Sequence, residues 1–117
     1  MEVTKKAINK LQKYQSDLTK GIRHPRLGAL TSFLEEVGEL TKAIHEIEIY
    51  GNSSAEIKQN MKEEIADCLF SIFEIAGVYD IDLGEVYIEK LAMIESKINS
   101  WEIKYGETLK KARKKLD

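Results

Sequence analysis

The stretch Phe33-Leu34-Glu35-Glu36-Val37-Gly38-Glu39-Leu40 decides the fold of this chain. Its apolar residues belong to the longer series Leu30, Phe33, Val37, Leu40, Ile44 and Ile47, in alternating steps of three and four. That alternation marks one face of an α-helix. Its acids recur downstream in Glu63-Glu64-Ile65-Ala66-Asp67-Cys68-Leu69, with the same order of acid, acid, β-branched, small, acid. Glu35 and Glu63 lie 28 residues apart, four heptads, so each cassette meets its own helix in nearly the same register. Two helices that each offer carboxylates at i and i+3 can hold a hard divalent cation between them.

Outward from this stretch the pattern continues as helices. The N-terminal side predicts a helix from about Thr4 to Leu18, with Ile8, Leu11, Tyr14 and Leu18 on one face. Gly21 to Arg26 breaks it, and Pro25 suits the start of the next helix because a first-turn residue needs no N–H. That second helix runs to about Tyr50 and stops at Gly51. Ser53 with Glu56 fits a capping box for a third helix carrying Ile57, Met61, Ile65, Cys68, Ile72 and Ile75. Asp82 with Glu85 fits another for a fourth, carrying Leu83, Val86, Leu91, Ile94, Ile98 and Trp101. Gly106 is expected to break or bend this helix before a basic tail at about 106–117. No stretch alternates as a strand does. Short connections favour antiparallel neighbours. The expected fold is all-α: a four-helix antiparallel bundle in one domain, residues 1–117. So small a bundle has limited interior, and its core is expected to be completed by an oligomer, a dimer or tetramer.

Composition narrows the function. The net charge of −2 gives no global basic field, so nucleic acid is not an expected partner. Lys110, Lys111, Arg113, Lys114 and Lys115 read as a solvated helix end whose cations complement the helix dipole. The single cysteine, Cys68, excludes an internal disulfide and a thiolate zinc cluster, and is expected as a buried reduced thiol. No segment reaches the roughly 18 successive apolar residues of a membrane span. Met1 to Lys6 lacks an apolar signal stretch, which points to a cytoplasmic location. His45 has Lys42, not Glu, three residues before it, against the di-iron pattern of ferritin-like bundles.

On a helical wheel at ~100° per residue, Glu35 falls nearly opposite the apolar seam and Glu63 does the same in its helix. Glu36 and Glu39 fall on one flank, and Glu64 and Asp67 on the matching flank of the next helix. Antiparallel packing brings these four into one groove. Their mutual repulsion, several kcal/mol, calls for a cation, and oxygen-only ligands suit Mg²⁺, Mn²⁺ or Ca²⁺. Two ordinary solvated flanks are the plainer reading of a single such motif; two in register favour the metal.

The paired Glu35-Glu36-x-x-Glu39 and Glu64-x-x-Asp67 resemble the signature of the all-α nucleoside triphosphate pyrophosphohydrolases. Phe33 to Leu40, and Asp67 followed by an apolar run and Tyr79-Asp80-Ile81-Asp82-Leu83, look MazG-like in particular. The resemblance spans roughly Gly21 to Lys97. It implies Mg²⁺ (or Mn²⁺ as substitute) held by Glu36, Glu39, Glu64 and Asp67, the four acids the wheel selects. It implies cleavage of a nucleoside triphosphate between its α and β phosphates, giving a monophosphate and pyrophosphate, with Glu39 as the water-orienting base. Lys90 resembles a lysine of relatives and is a candidate phosphate ligand, with Lys97 beside it. Lys104 completes the same seven-residue spacing, as a phosphate ligand or as an edge that covers apolar surface. His24, in the loop before the acidic helix, is a further substrate candidate. Relatives follow the lysine with Asn or Arg where this chain has Ile94. Several carry a base-stacking tryptophan near His24 that this chain lacks. A dedicated dUTPase- or dCTPase-type enzyme and a catalytically silent nucleotide- or metal-binding module are the alternatives.

Overall fold

Helix α1 spans Lys6–Leu18, α2 Arg26–Glu48, α3 Ala55–Val78 and α4 Leu83–Leu116, with a short 3₁₀ turn at Lys20–Ile22. These bounds come from a computed structural model, which describes residues 4–117. The Met1–Val3 part of the N-terminal stretch lies outside the described residues. The all-α expectation holds: no strand occurs among the described residues, and none of their helices is long and apolar enough to cross a membrane.

The helix ends follow local chemistry. Pro25 precedes α2 as its N-cap, one residue earlier than expected for a first-turn proline. At α3 the cap is Ser54, whose hydroxyl accepts from Ile57 N–H at 3.2 Å. The expected cap, Ser53, is displaced because the Asn52 side chain accepts from Ser54 N–H at 3.1 Å and sets the entry turn. Asp82 caps α4 as expected, accepting from Glu85 N–H at 2.9 Å. Between α3 and α4 the chain makes a Schellman turn: Ile81 N–H donates to Ala76 C=O and Asp80 N–H to Gly77 C=O. Asp80 takes the left-handed conformation this requires, φ 54°. Gly106 does not break α4, which continues through it as one helix to Leu116. A lone helical glycine costs only ~1 kcal/mol, and the helix formers around it carry the segment through.

Helices α2 and α3 form a long antiparallel hairpin. His24 meets Glu74 near one end, Glu36 lies by Glu64 and Asp67 midway, and Glu46 lies by Asn52 and Glu56 at the turn. Helix α1 bridges α3 and α4, and α4 meets the rest of the chain chiefly through α1. The bridge is polar. Gln15 donates to Phe70 C=O, while Gln12 donates to Ile81 C=O and accepts from Leu83 N–H. Gly84 is buried against α1, and any Cβ there would collide with the Asn9 side chain and approach Lys5 C=O to 2.7 Å.

One chain therefore does not close a four-helix bundle. Its core is small: among the described residues, Ala29, Ala43, Phe73 and Ala76 are the buried hydrophobic ones. It exposes 9548 Å², whereas a compact monomer of 13.4 kDa exposes roughly 6,500 Å². The reason is visible in α2, which carries two apolar stripes rather than the expected one. Ala29, Phe33, Leu40, Ala43 and Ile47 turn toward α3, while Leu27, Leu30, Leu34, Val37 and Ile44 stay exposed. In α3, Ile57, Met61, Cys68 and Ile75 turn inward, and Ile65 and Ile72 turn outward. The wheel axis drawn through all the apolar residues averaged these two faces.

A carboxylate cluster in the helical hairpin

That division of the apolar face places the acids. In α2 the inward positions run through Ala29, Phe33, Glu36, Leu40 and Ala43; in α3 they run through Ile57, Met61, Glu64, Cys68 and Ser71. Glu36 and Glu64 thus stand in the seam itself, closer to the partner helix than a flank position implies. Both are half-buried, and Asp67 lies beside them at the surface. Each of the three offers an oxygen within 4.8 Å of the other two. Glu35 and Glu63 are exposed, as the wheel requires.

The electrostatics of the cluster are unfavourable for anions alone. Desolvation, then the charges of Asp67 and Glu64, raise the Glu36 carboxyl above its ordinary 4.5. Glu64 is raised from 4.5 by desolvation, then Asp67 and Glu39, with a hydrogen bond to Glu36 opposing. Cys68, one turn from Glu64 on the same face, is half-buried rather than buried, and its thiol is also raised, by desolvation and then by Glu36, Glu64 and Asp67. A cation would satisfy all three carboxylates at once, and a hard, oxygen-seeking divalent ion fits this donor set.

Of the four acids expected to share an ion, Glu36, Glu64 and Asp67 come together. Glu39 stands outside that trio, exposed, one turn along α2. It lines a groove of about 710 Å³ that runs from Glu39 and Glu63 toward the α2–α3 turn. Lys42, Glu46, Asn52 and Asn60 are also on its walls. These groove residues were not singled out from sequence. Their signal was present: Lys42 and Glu46 follow Glu39 at helical spacing, and Asn60 precedes Glu63 by three residues.

The other substrate candidates lie elsewhere. His24 Nδ1 is 3.1 Å from a carboxylate oxygen of Glu74, a nearly buried side chain on α3. Its neighbour Arg23 donates to Gly77 C=O at 2.8 Å, so this loop is tied to α3 at two points. Lys90 and Lys97 are exposed on α4 and do not line the groove. Lys104 lies over the Tyr105 ring.

Residues 26–98, well over half of the chain, match the family model described as the MazG nucleotide pyrophosphohydrolase domain. No curated protein and no solved structure matches the chain.

Proposed function

Because the chain belongs to the MazG nucleotide pyrophosphohydrolase domain family, we propose that it hydrolyses nucleoside triphosphates to the monophosphate and pyrophosphate, with Mg²⁺ as cofactor. The observation that supports this reading is the convergence of Glu36, Glu64 and Asp67, with ligand oxygens within 4.8 Å, beside an open groove.

In this reading Glu36, Glu64 and Asp67 hold the ion. Mg²⁺, when bound, neutralises phosphate oxygens and acidifies a coordinated water. Glu39, at the mouth of the groove and within electrostatic reach of Glu64, orients the attacking water and takes its proton. Attack on the α-phosphorus in line with the β-phosphate breaks the α–β anhydride. The groove receives the nucleotide, with Lys42 the cation on its wall. Lys90 and Lys97 serve as phosphate ligands across an assembly, since neither lines the groove of its own chain. The reading includes self-association as a dimer or tetramer, in line with the excess of exposed surface.

The decisive assay is pyrophosphate release with Mg²⁺ across a panel of ribo- and deoxyribonucleoside triphosphates, with Asp67→Ala as the control. Turnover of several bases supports the proposal. Turnover of one base alone points to a dedicated enzyme of the dUTPase or dCTPase type. No turnover above the control points to a silent binding module.

A further inference from the structure

The groove beyond the carboxylate cluster carries charge mostly of one sign. Glu39, Glu46, Glu56 and Glu63 stand on its walls against one cation, Lys42. Such walls repel phosphate oxygens wherever no bound metal ion intervenes. With the phosphates held at the cluster, the part of a nucleotide that extends down the groove is the nucleoside, which carries no charge. The space suits it. The groove encloses about 710 Å³, and Ala43 and Ile57 give its walls apolar surface. From Glu39 to Glu46 it follows α2 for ~10 Å, at ~1.5 Å per residue.

The far end of the groove is built by the α2–α3 turn. Gly51 takes the left-handed conformation, φ 67°, and Asn52 N–H reaches back to donate to Glu46 C=O at 3.1 Å. That turn folds Asn52 over the end of α2, where its Nδ2 donates to Glu46 Oε1 at 3.4 Å. The Asn52 carbonyl oxygen is occupied by Ser54 N–H at 3.1 Å, so the amide cannot flip without losing both bonds. Glu46 and Asn52 are half-buried, whereas Glu39, Glu56 and Glu63 are exposed. Glu46 is thus the groove carboxylate held in place from outside its own helix. Asn52 takes one of its oxygens and leaves Oε2 for a ligand. An ionised carboxylate only accepts hydrogen bonds, so the base that meets Oε2 must lead with a donor. Cytosine offers its N4 amino group, adenine its N6 amino group, and guanine N1–H beside its N2 amino group. Uracil and thymine set their one edge N–H between two carbonyl oxygens, which a carboxylate repels. Asn60, on the α3 wall, carries an amide that both donates and accepts, and so tolerates all three amino bases.

We propose that Glu46, positioned by Asn52, selects nucleotides whose base carries an exocyclic amino group over those of uracil and thymine. The proposal rests on the reading above for placing the phosphates at Glu36, Glu64 and Asp67, but not on turnover. Glu46 is a specificity residue in contact with the base, and Asn52 acts through it.

The test is calorimetric titration of the full chain, in Mg²⁺, with the α,β-methylene analogues of ATP, CTP, GTP, UTP and dTTP, which cannot release pyrophosphate. The three amino-bearing analogues are expected to bind tighter than the uridine and thymidine ones by about tenfold or more, the size of one hydrogen bond to a charged group. Glu46→Gln supplies a donor that a base carbonyl can use, and is expected to bring the two classes toward parity. Asn52→Ala frees the Glu46 side chain and is expected to lower the ratio in part; it carries the test if Glu46→Gln loses its helices by circular dichroism. A merely structural role for Glu46 would weaken all five analogues alike. Equal Kd for the cytidine and uridine analogues in the parent overturns the proposal. So does a preference that survives Glu46→Gln in a folded variant, because another residue then reads the base. Pyrophosphate release from CTP and UTP is assayed in parallel. Release at equal kcat/KM from both leaves the hydrolytic reading standing and removes the selectivity. Selective binding without release from any nucleotide does the reverse. No binding of any analogue removes both.

Discussion

Glu36 on α2 and Glu64 on α3 stand in the one seam that joins their helices, half-buried, both with carboxyls raised above the ordinary value by desolvation and then by the charge of Asp67, while a hydrogen bond to Glu36 opposes the rise at Glu64. Carboxylates at seam positions reduce apolar packing and repel each other. Such a pair is costly to the free protein and favourable to whatever cation it receives.

The distinction between seam and surface acids is open to direct measurement. Glu36→Gln and Glu64→Gln are expected to lower kcat for pyrophosphate release by more than the ~100-fold upper range seen for partners one shell removed from a metal. Glu35→Gln and Glu63→Gln, at exposed positions, are expected to stay within about twofold of the parent. Equal losses in the two pairs would remove the basis for the cluster.

The raised carboxyls also set a pH dependence. A group whose folded pKa lies above its unfolded value holds its proton more tightly when folded. Its contribution to stability is full below the unfolded value near 4.5 and is lost as pH rises through the folded value. Without divalent ions, the melting temperature should therefore fall as pH climbs from about 4.5 toward neutrality, over and above any trend in a Glu36→Gln, Glu64→Gln double variant. At neutral pH, Mg²⁺ at 100 times its Kd should restore about 2.7 kcal/mol. Calorimetry with and without Mg²⁺ reads both effects, and a flat difference between parent and double variant would contradict the electrostatic account.

At the other end of the molecule, Gly84 lets α4 approach α1 closely. Gly84→Ala drives a methyl into the Asn9 side chain and toward Lys5 C=O, and is expected to cost about 1–3 kcal/mol. Gly106→Ala, with open space around it, should be neutral or stabilising by up to about 1 kcal/mol. Urea unfolding of the two variants side by side separates packing from helix propensity.

The loop before α2 yields a prediction about role. With Nδ1 on Glu74, His24 ties the loop to α3. His24→Ala is expected to lower stability by about 1 kcal/mol or less, because the imidazole is half exposed. KM for the nucleotide should not change. A rise in KM at unchanged stability would return His24 to the substrate-binding residues.

Sequence alone determined the four helices, the Asp82 cap, the break near Pro25 and three acids that converge, Glu36, Glu64 and Asp67. Each of these rests on local rules: a 3.6-residue period, a side chain that reaches its own backbone, a ring that fixes φ. The match of two acidic motifs in register was enough to pair Glu36 with Glu64 and Asp67 before any coordinates.

Only the tertiary structure decided which apolar residues face which neighbour. The wheel drew one axis through Leu30, Phe33, Val37 and Leu40, yet Phe33 and Leu40 turn to α3 while Leu30 and Val37 remain bare. A helix that carries two apolar stripes about a quarter turn apart has a periodicity that reports their mean. The same averaging moved Glu36 from the seam to a flank, left Glu39 in the cluster and hid the groove beyond it. Which stripe meets which helix depends on contacts between segments distant in the chain, and no local period encodes them.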